Sequence, residues 1–207
     1  DIEVTISAAG KITPKEQVAV GAQVSGQLEK LYVDVGDTVK AGDLLAQIDA
    51  TIASTNVEAN RAQLKELRAS RKQQQASLEL LKAEADRATM LLGADAIARA
   101  DYESAQANYK IAQGKLEAID AQIERQSSTL QADIASLEFT KIYAPVSGTV
   151  VSLEAVEGQT LNANQTAPTI LTIADLTTMT VETDVSEADV LRIEKGQPAW
   201  FTTLGDS

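Results

Sequence analysis

The sequence contains no cysteine and no histidine. Disulfides, thiol nucleophiles, histidine acid–base chemistry and nearly every zinc or copper site are excluded on that ground. Aromatic residues make up only 3% of the chain, although 44% of it is hydrophobic. Many of those hydrophobic residues are alanine, which suits long thin helices better than a large round core. No apolar run approaches the roughly 20 residues of a membrane span. Positive charge is also scarce: 18 Lys and Arg stand against 30 Asp and Glu, a net charge of −12. Duplex binding needs clustered cations, so no nucleic-acid partner is expected. The 207 residues allow one ordinary domain or two small ones. The chain begins at Asp1 rather than at methionine. A processed protein, or a piece of a longer one with its signal peptide or anchor elsewhere, is expected from that start.

Proline and glycine are unevenly spread. Between Asp49 and Tyr143 there is no proline, and Gly93 and Gly114 are the only glycines. Ala, Gln, Glu, Lys, Arg and Leu dominate this stretch, which reads as a long helical insert in a β-rich frame. Its second arm keeps a 3-4 spacing from Tyr102 through Ala105, Tyr109 and Ala112 to Leu137. Gln126 and Asp133 are the two polar members of that seam. The first arm keeps phase through Val57, Leu64, Leu78, Ala85 and Leu92, with Arg71 and Gln74 interrupting it. Gly93 is the expected helix cap between the arms. Residues 51–92 and 96–137 are equally long, each reaching about 63 Å at 1.5 Å per residue. Equal arms with facing seams predict an antiparallel coiled-coil hairpin whose tip lies near 92–97.

A repeat flanks the insert. Val24-Ser25-Gly26-Gln27-Leu28 returns as Val146-Ser147-Gly148-Thr149-Val150, and Gly36-Asp37-Thr38-Val39 as Gly158-Gln159-Thr160-Leu161. Both pairs share one offset, since 148 − 26 = 122 and 158 − 36 = 122, so a single duplicated unit is indicated. Leu44-Leu45-Ala46-Gln47-Ile48-Asp49 then matches Ile170-Leu171-Thr172-Ile173-Ala174-Asp175 at an offset of 170 − 44 = 126. The second copy therefore carries four more residues between Leu161 and Ile170. Gly26 and Gly148 suit either a positive φ or a close backbone approach at a strand start.

These halves resemble the paired half-motifs of the biotinyl/lipoyl carrier fold. In a carrier the modified lysine sits at a tight turn between the halves. Here the hairpin replaces that turn, and the nearest lysine, Lys141 in Thr140-Lys141-Ile142, lacks the carrier context. No cofactor and no metal are expected. A lipoyl fold split by a long hairpin resembles the periplasmic adaptors, or membrane-fusion proteins, of tripartite efflux pumps. Val20-Gly21-Ala22-Gln23-Val24, Ser186-Glu187-Ala188-Asp189-Val190 and Gly196-Gln197-Pro198-Ala199-Trp200 are similar to the MacA-like branch of that family. The implied fold class is α+β: a split lipoyl-like domain at 14–49 and 142–175, a hairpin at 50–141, and part of a β-barrel domain at 1–13 and 176–207. Ile2, Val4 and Ile6 alternate with polar residues, Ser186 begins a short helix expected through Ile193, and Trp200-Phe201 is expected to open a strand.

The resemblance implies a periplasmic adaptor, not an enzyme, anchored at the inner membrane by a segment outside this chain. It would link an ABC-type transporter to a TolC-type outer-membrane channel and assemble as a homo-oligomer, a hexamer. An adaptor for a proton-driven pump or a one-step secretion system is the alternative, and a biotin or lipoyl carrier the lesser one. Family tips dock the channel through an Arg, a Leu four residues on and a Ser eleven residues on. Arg87 and Leu91 match, whereas the third position is Ala98. A Gln lining the pore of such assemblies corresponds to Gln165, in the longer loop three residues before Pro168. The acidic pairs Glu154/Glu157, Glu182/Asp184 and Glu187/Asp189 read as a solvated face or as helix-dipole complements rather than as catalytic carboxylates.

Overall fold

Nothing in the stretch after Asp49 breaks a helix, and two helices form there. A computed structural model describes residues 6–163 and 166–202. In it α1 spans Thr51–Gly93 and α2 spans Arg99–Glu138. At 1.5 Å per residue α1 is about 65 Å long. Val57, Leu64, Ala85 and Ala88 of α1 and Ala112 of α2 are buried in the seam. The polar interruptions find partners across it. Arg71 Nε donates to Asp120 Oδ1 at 2.5 Å, and that carboxylate raises the guanidinium pKa further. Gln126 Nε2 donates to Asn60 Oδ1 at 2.7 Å, and Asn60 Nδ2 donates to Asp133 Oδ2 at 2.5 Å. Half-buried amide and carboxylate groups are tolerated at seam positions because they satisfy one another.

The turn between the arms differs from expectation. Gly93 stays helical, and Asp95 takes the left-handed conformation instead, with φ 55°. The Asp95 amide donates to Leu92 O at 3.0 Å and the Ala96 amide to Leu91 O at 2.9 Å. Those two bonds define a Schellman termination with Asp95 at the left-handed position. Aspartate is one of the few side chains that tolerates this conformation.

Among the described residues the frame around the hairpin comprises eight strands: β1 Gly10–Gly21, β2 Gly26–Leu31, β3 Thr38–Val39, β4 Leu44–Ile48, β5 Lys141–Tyr143, β6 Gly148–Leu153, β7 Thr160–Leu161 and β8 Thr169–Thr183. They form two four-stranded sheets, ordered β1-β8-β6-β3 and β5-β4-β2-β7. Both sheets contribute to one core, in which Leu28, Leu45, Ile48, Ile170, Leu171 and Ile173 are fully buried. The hairpin enters between β4 and β5.

The two repeats interlock. Gly36 N donates to Val150 O at 2.9 Å, and its counterpart Gly158 N donates to Leu28 O at 2.8 Å. Leu28 N donates to Gln159 O, and Val150 N to Asp37 O, both at 2.9 Å. Each half thus completes the ladder of the other, and neither satisfies its backbone alone. Gly36 and Gly158 supply the positive φ these turns need, 99° and 84°. Gly26 and Gly148 serve close approach instead. A Cβ at Gly148 would lie 2.7 Å from the carbonyl oxygen of Ala174, and one at Gly26 would lie 2.6 Å from the Cγ2 methyl of the fully buried Ile48. Gly148→Ala and Gly26→Ala are therefore each expected to cost about 1–3 kcal/mol, because neither a strand carbonyl nor a core methyl branched at Cβ moves aside freely. An unchanged urea midpoint in either variant would refute the close approach there.

Beyond the sandwich β1 and β8 continue as a ribbon, paired from Gly21↔Thr169 out to Gly10↔Thr183. Ile2 and Val4 lie outside the described residues. The helix expected from Ser186 to Ile193 shrinks to a 3-10 turn at Val190–Arg192. The Ser186 carbonyl accepts the amides of Asp189 and Val190. Leu191, however, is 92% exposed, and a short helix without an apolar surface to pack on does not propagate. Trp200 and Phe201 are exposed and form no strand, having no pairing neighbour among the described residues.

Candidate functional site

Two places in this fold carry the residues singled out from the sequence. At the far end of the hairpin, Arg87 and Leu91 sit one turn apart on the same side of α1, just before the Leu92–Ala96 turn. Arg87 is exposed and makes no ion pair among the described residues. Leu91 is 38% exposed, and its carbonyl anchors the turn. Ala98, across the turn, is the residue that caps α2, extended at φ −73° and ψ 145°, with no side-chain bond to the helix. A serine there would accept one of the orphan amides of the first turn. Ala98→Ser is accordingly expected to stabilise the tip by about 1 kcal/mol, independent of any partner. Thermal unfolding of the two proteins side by side checks it, and an unchanged midpoint would remove the cap from the explanation.

The second place is the longer loop of the second half. Gln165 itself lies outside the described residues. The stems of its loop are held by the first half: Ala163 N donates to Ser25 Oγ at 2.9 Å, and Ala22 N to Pro168 O at 3.0 Å. The mirror pair is present too, Ala41 N to Ser147 Oγ at 2.9 Å and Ala144 N to Asp43 O at 2.9 Å. The Ser25 hydroxyl therefore ties down the loop carrying Gln165. Sequence reasoning quoted the Ser-Gly pairs for their glycines and missed the serines, although their common offset was the available signal.

The structure also places the remaining polar groups singled out from the sequence. Lys141 lies on β5 opposite Gln47 rather than at a turn. It borders a wide groove of about 890 Å³, where α2 meets the edge strand β1. Among the described residues no three carboxylates gather as a metal site would require. Glu157, expected on a solvated face, accepts the Leu31 amide at 2.8 Å, and Glu154 accepts the Thr172 hydroxyl at 3.3 Å. Those bonds tie the loop after β6 to β2 and β8. Asp49 and Asp175 end the two halves in the same way. The Thr51 hydroxyl and amide lower the pKa of Asp49, and the Thr177 amide and hydroxyl that of Asp175. Their stabilisation is present above the unfolded carboxylate range and is lost as pH falls through the depressed folded values. After Asp49 the chain opens a helix; after Asp175 it continues as β8.

This geometry has close parallels among known proteins. The family described as RND MFP, barrel-sandwich hybrid domain, matches residues 16–173. The chain is 42% identical over 206 residues to the macrolide export protein MacA of Escherichia coli O157:H7, covering 100% of this chain and 56% of that protein. It is 47% identical over 204 residues to the pyoverdine export membrane fusion protein PvdR of Pseudomonas putida, covering 99% and 52% respectively. The crystal structure of MacA from Actinobacillus actinomycetemcomitans matches with a TM-score of 0.84 at 35% identity, over 92% of this chain and 59% of that one. The chain spans about half the length of the curated relatives it matches. With three quarters of its length inside the family's defining domain, the chain belongs to the membrane fusion proteins that carry a barrel-sandwich hybrid domain.

Proposed function

We propose that this chain is the central section of a periplasmic adaptor that joins an inner-membrane ABC-type transporter to a TolC-type outer-membrane channel for export. The observation that carries the reading is the insertion of a hairpin about 65 Å long between β4 and β5 of a lipoyl-like sandwich. Such an insert places its tip far from the body while both ends return to one point. The relatives MacA and PvdR are export proteins, which supports the same role here. The adaptor performs no chemistry of its own; it is a connector and not an enzyme. No described helix is long and apolar enough to cross a membrane, so inner-membrane attachment would come through a segment other than those described.

In this reading the chain forms a hexameric homo-oligomer. Lipoyl-like domains make up its 14–49 and 142–175 segments, the hairpin 50–141, and barrel pieces 1–13 and 176–207. Arg87, Leu91 and the Ala98 position meet the channel. Gln165 lines a central pore, where symmetry turns one side chain into a ring. An amide both donates and accepts, so neighbours can close the ring with bonds worth about 1 kcal/mol each, weak enough to open under load. Gln165→Ala is expected to permit back-flow of substrate in reconstituted pumps while leaving folding intact. Unchanged directionality would remove the gate. Pull-down of membrane partners tests the whole reading. A transporter with a P-loop signature is the expected catch, whereas a proton-driven transporter would reassign the pump class.

A further inference from the structure

Several features converge halfway along the hairpin. Arg71 and Gln74 stand at seam positions of α1, and no residue of α1 between Leu64 and Ala85 is buried. The Arg71–Asp120 pair sits at the seam's edge with side chains 46% and 44% exposed, so it adds little rigidity. Gln74 Nε2 donates to the main-chain carbonyl of Ala112 at 3.4 Å. That carbonyl belongs to the hydrogen-bond ladder of α2, and a side chain intruding on such a ladder is a known cause of helix bending. Two residues further on, Gly114 lies exposed inside α2, and a Cβ placed there would meet nothing within 4 Å. No close approach demands glycine at this position, so its effect is to loosen the helix.

At this level Ala112 of α2 is buried but none of the α1 residues facing it is, whereas on either side residues of α1 are buried as well. Toward the sandwich Val57 and Leu64 are buried, and Asn60 is bonded to both Gln126 and Asp133. Toward the tip Ala85 and Ala88 are buried, and Gln106 Nε2 donates to the Thr89 hydroxyl at 3.1 Å.

We propose that the hairpin is jointed at the level of Arg71, Gln74 and Gly114, the outer section swinging on an inner section that stays fixed to the sandwich. A joint there lets the tip search orientations without disturbing the body. The inference stands on the hairpin's own packing and does not depend on which partner the tip meets.

Residual dipolar couplings measured on the isotopically labelled chain test it. The amides of 51–67 and 122–138 report one section, and those of 78–93 and 99–110 the other. The expected result is a weaker alignment of the outer section. Equal alignment should be restored in the variant Arg71→Leu/Gln74→Leu/Gly114→Ala. One common alignment in the unaltered chain would overturn the joint. If the triple variant does not fold, Gly114→Ala alone carries the test. Exchange of the amides at 114–118 should slow about two- to five-fold relative to those near the base. Unslowed exchange would overturn the proposal equally.

Discussion

Leu28→Ala should lower the unfolding free energy by about 2–5 kcal/mol, the range for large-to-small changes in a packed core. Leu28 is fully buried and pairs with Ile48 in the β2–β4 ladder. Its amide and carbonyl are tied to Gln159 and Gly158 of the other half. Truncation leaves those backbone bonds in place, so the loss is one of burial and of a cavity. Neighbours held from both repeats cannot collapse into the space, which places the expected value above a simple transfer energy. Urea titration followed by circular dichroism should give a lower midpoint with an unchanged slope. A shift under about 1 kcal/mol would mean that the sheets relax around the gap and that the interlock is looser than the ladder implies.

Arg87→Glu should weaken binding to an outer-membrane channel about tenfold to a hundredfold if the tip docks as proposed, the usual worth of a charge-assisted hydrogen bond reversed in sign. Arg87 is exposed and without an ion pair among the described residues, so the substitution removes no internal contact. Arg68→Glu, on an exposed stretch of the same helix near its middle, is the matched control and should change little. Equal losses at both positions, disappearing together in high salt, would show a general charge effect and not a docked tip. Ala98→Ser complicates a naive reading of tip variants. It improves the cap of α2, so tighter binding in that variant must be corrected for a better-ordered tip.

Much of the hairpin was legible because the seam is periodic, and periodicity survives whatever surrounds it. Val57, Leu64, Ala85, Ala88 and Ala112 are buried where the 3-4 spacing places them. The termination was not legible in the same way. Gly93 looked like the cap by composition, but the register of the last turn puts Asp95 at the left-handed residue. A shift of two residues in phase is invisible to a propensity argument. The expected helix after Ser186 failed for a related reason: the Ser186 hydroxyl bonds the Asp189 carboxylate rather than capping an amide, the short turn is capped at Asp189 instead, and Leu191 is 92% exposed.

In the sandwich, the repeat identified both halves and their relation. It could not say that the halves would trade hydrogen bonds at Gly36, Gly158, Leu28 and Val150, because exchange between distant segments leaves no local mark. Nor could it choose between a positive φ and a close approach at Gly26 and Gly148; the atoms facing them decide that. The partners of Gln126 and Asp133 likewise depend on which residue of α1 lies opposite, and Asn60 held no rank in the sequence until the arms were paired.

Composition, the duplicated half-motif and the seam determined by themselves that this chain is a duplicated β-rich frame interrupted by a long helical hairpin, because each of these is read along the chain; that the frame is a two-sheet sandwich was implied by its resemblance to the lipoyl fold. Tertiary structure alone decided which serine secures the longer loop, which residue turns the tip and where the hairpin is least tightly packed. The first joins atoms 138 positions apart and the last depends on which residues of the two arms face one another, contacts that folded geometry sets rather than spacing; the tip is settled by the hydrogen-bond register of the last helical turn.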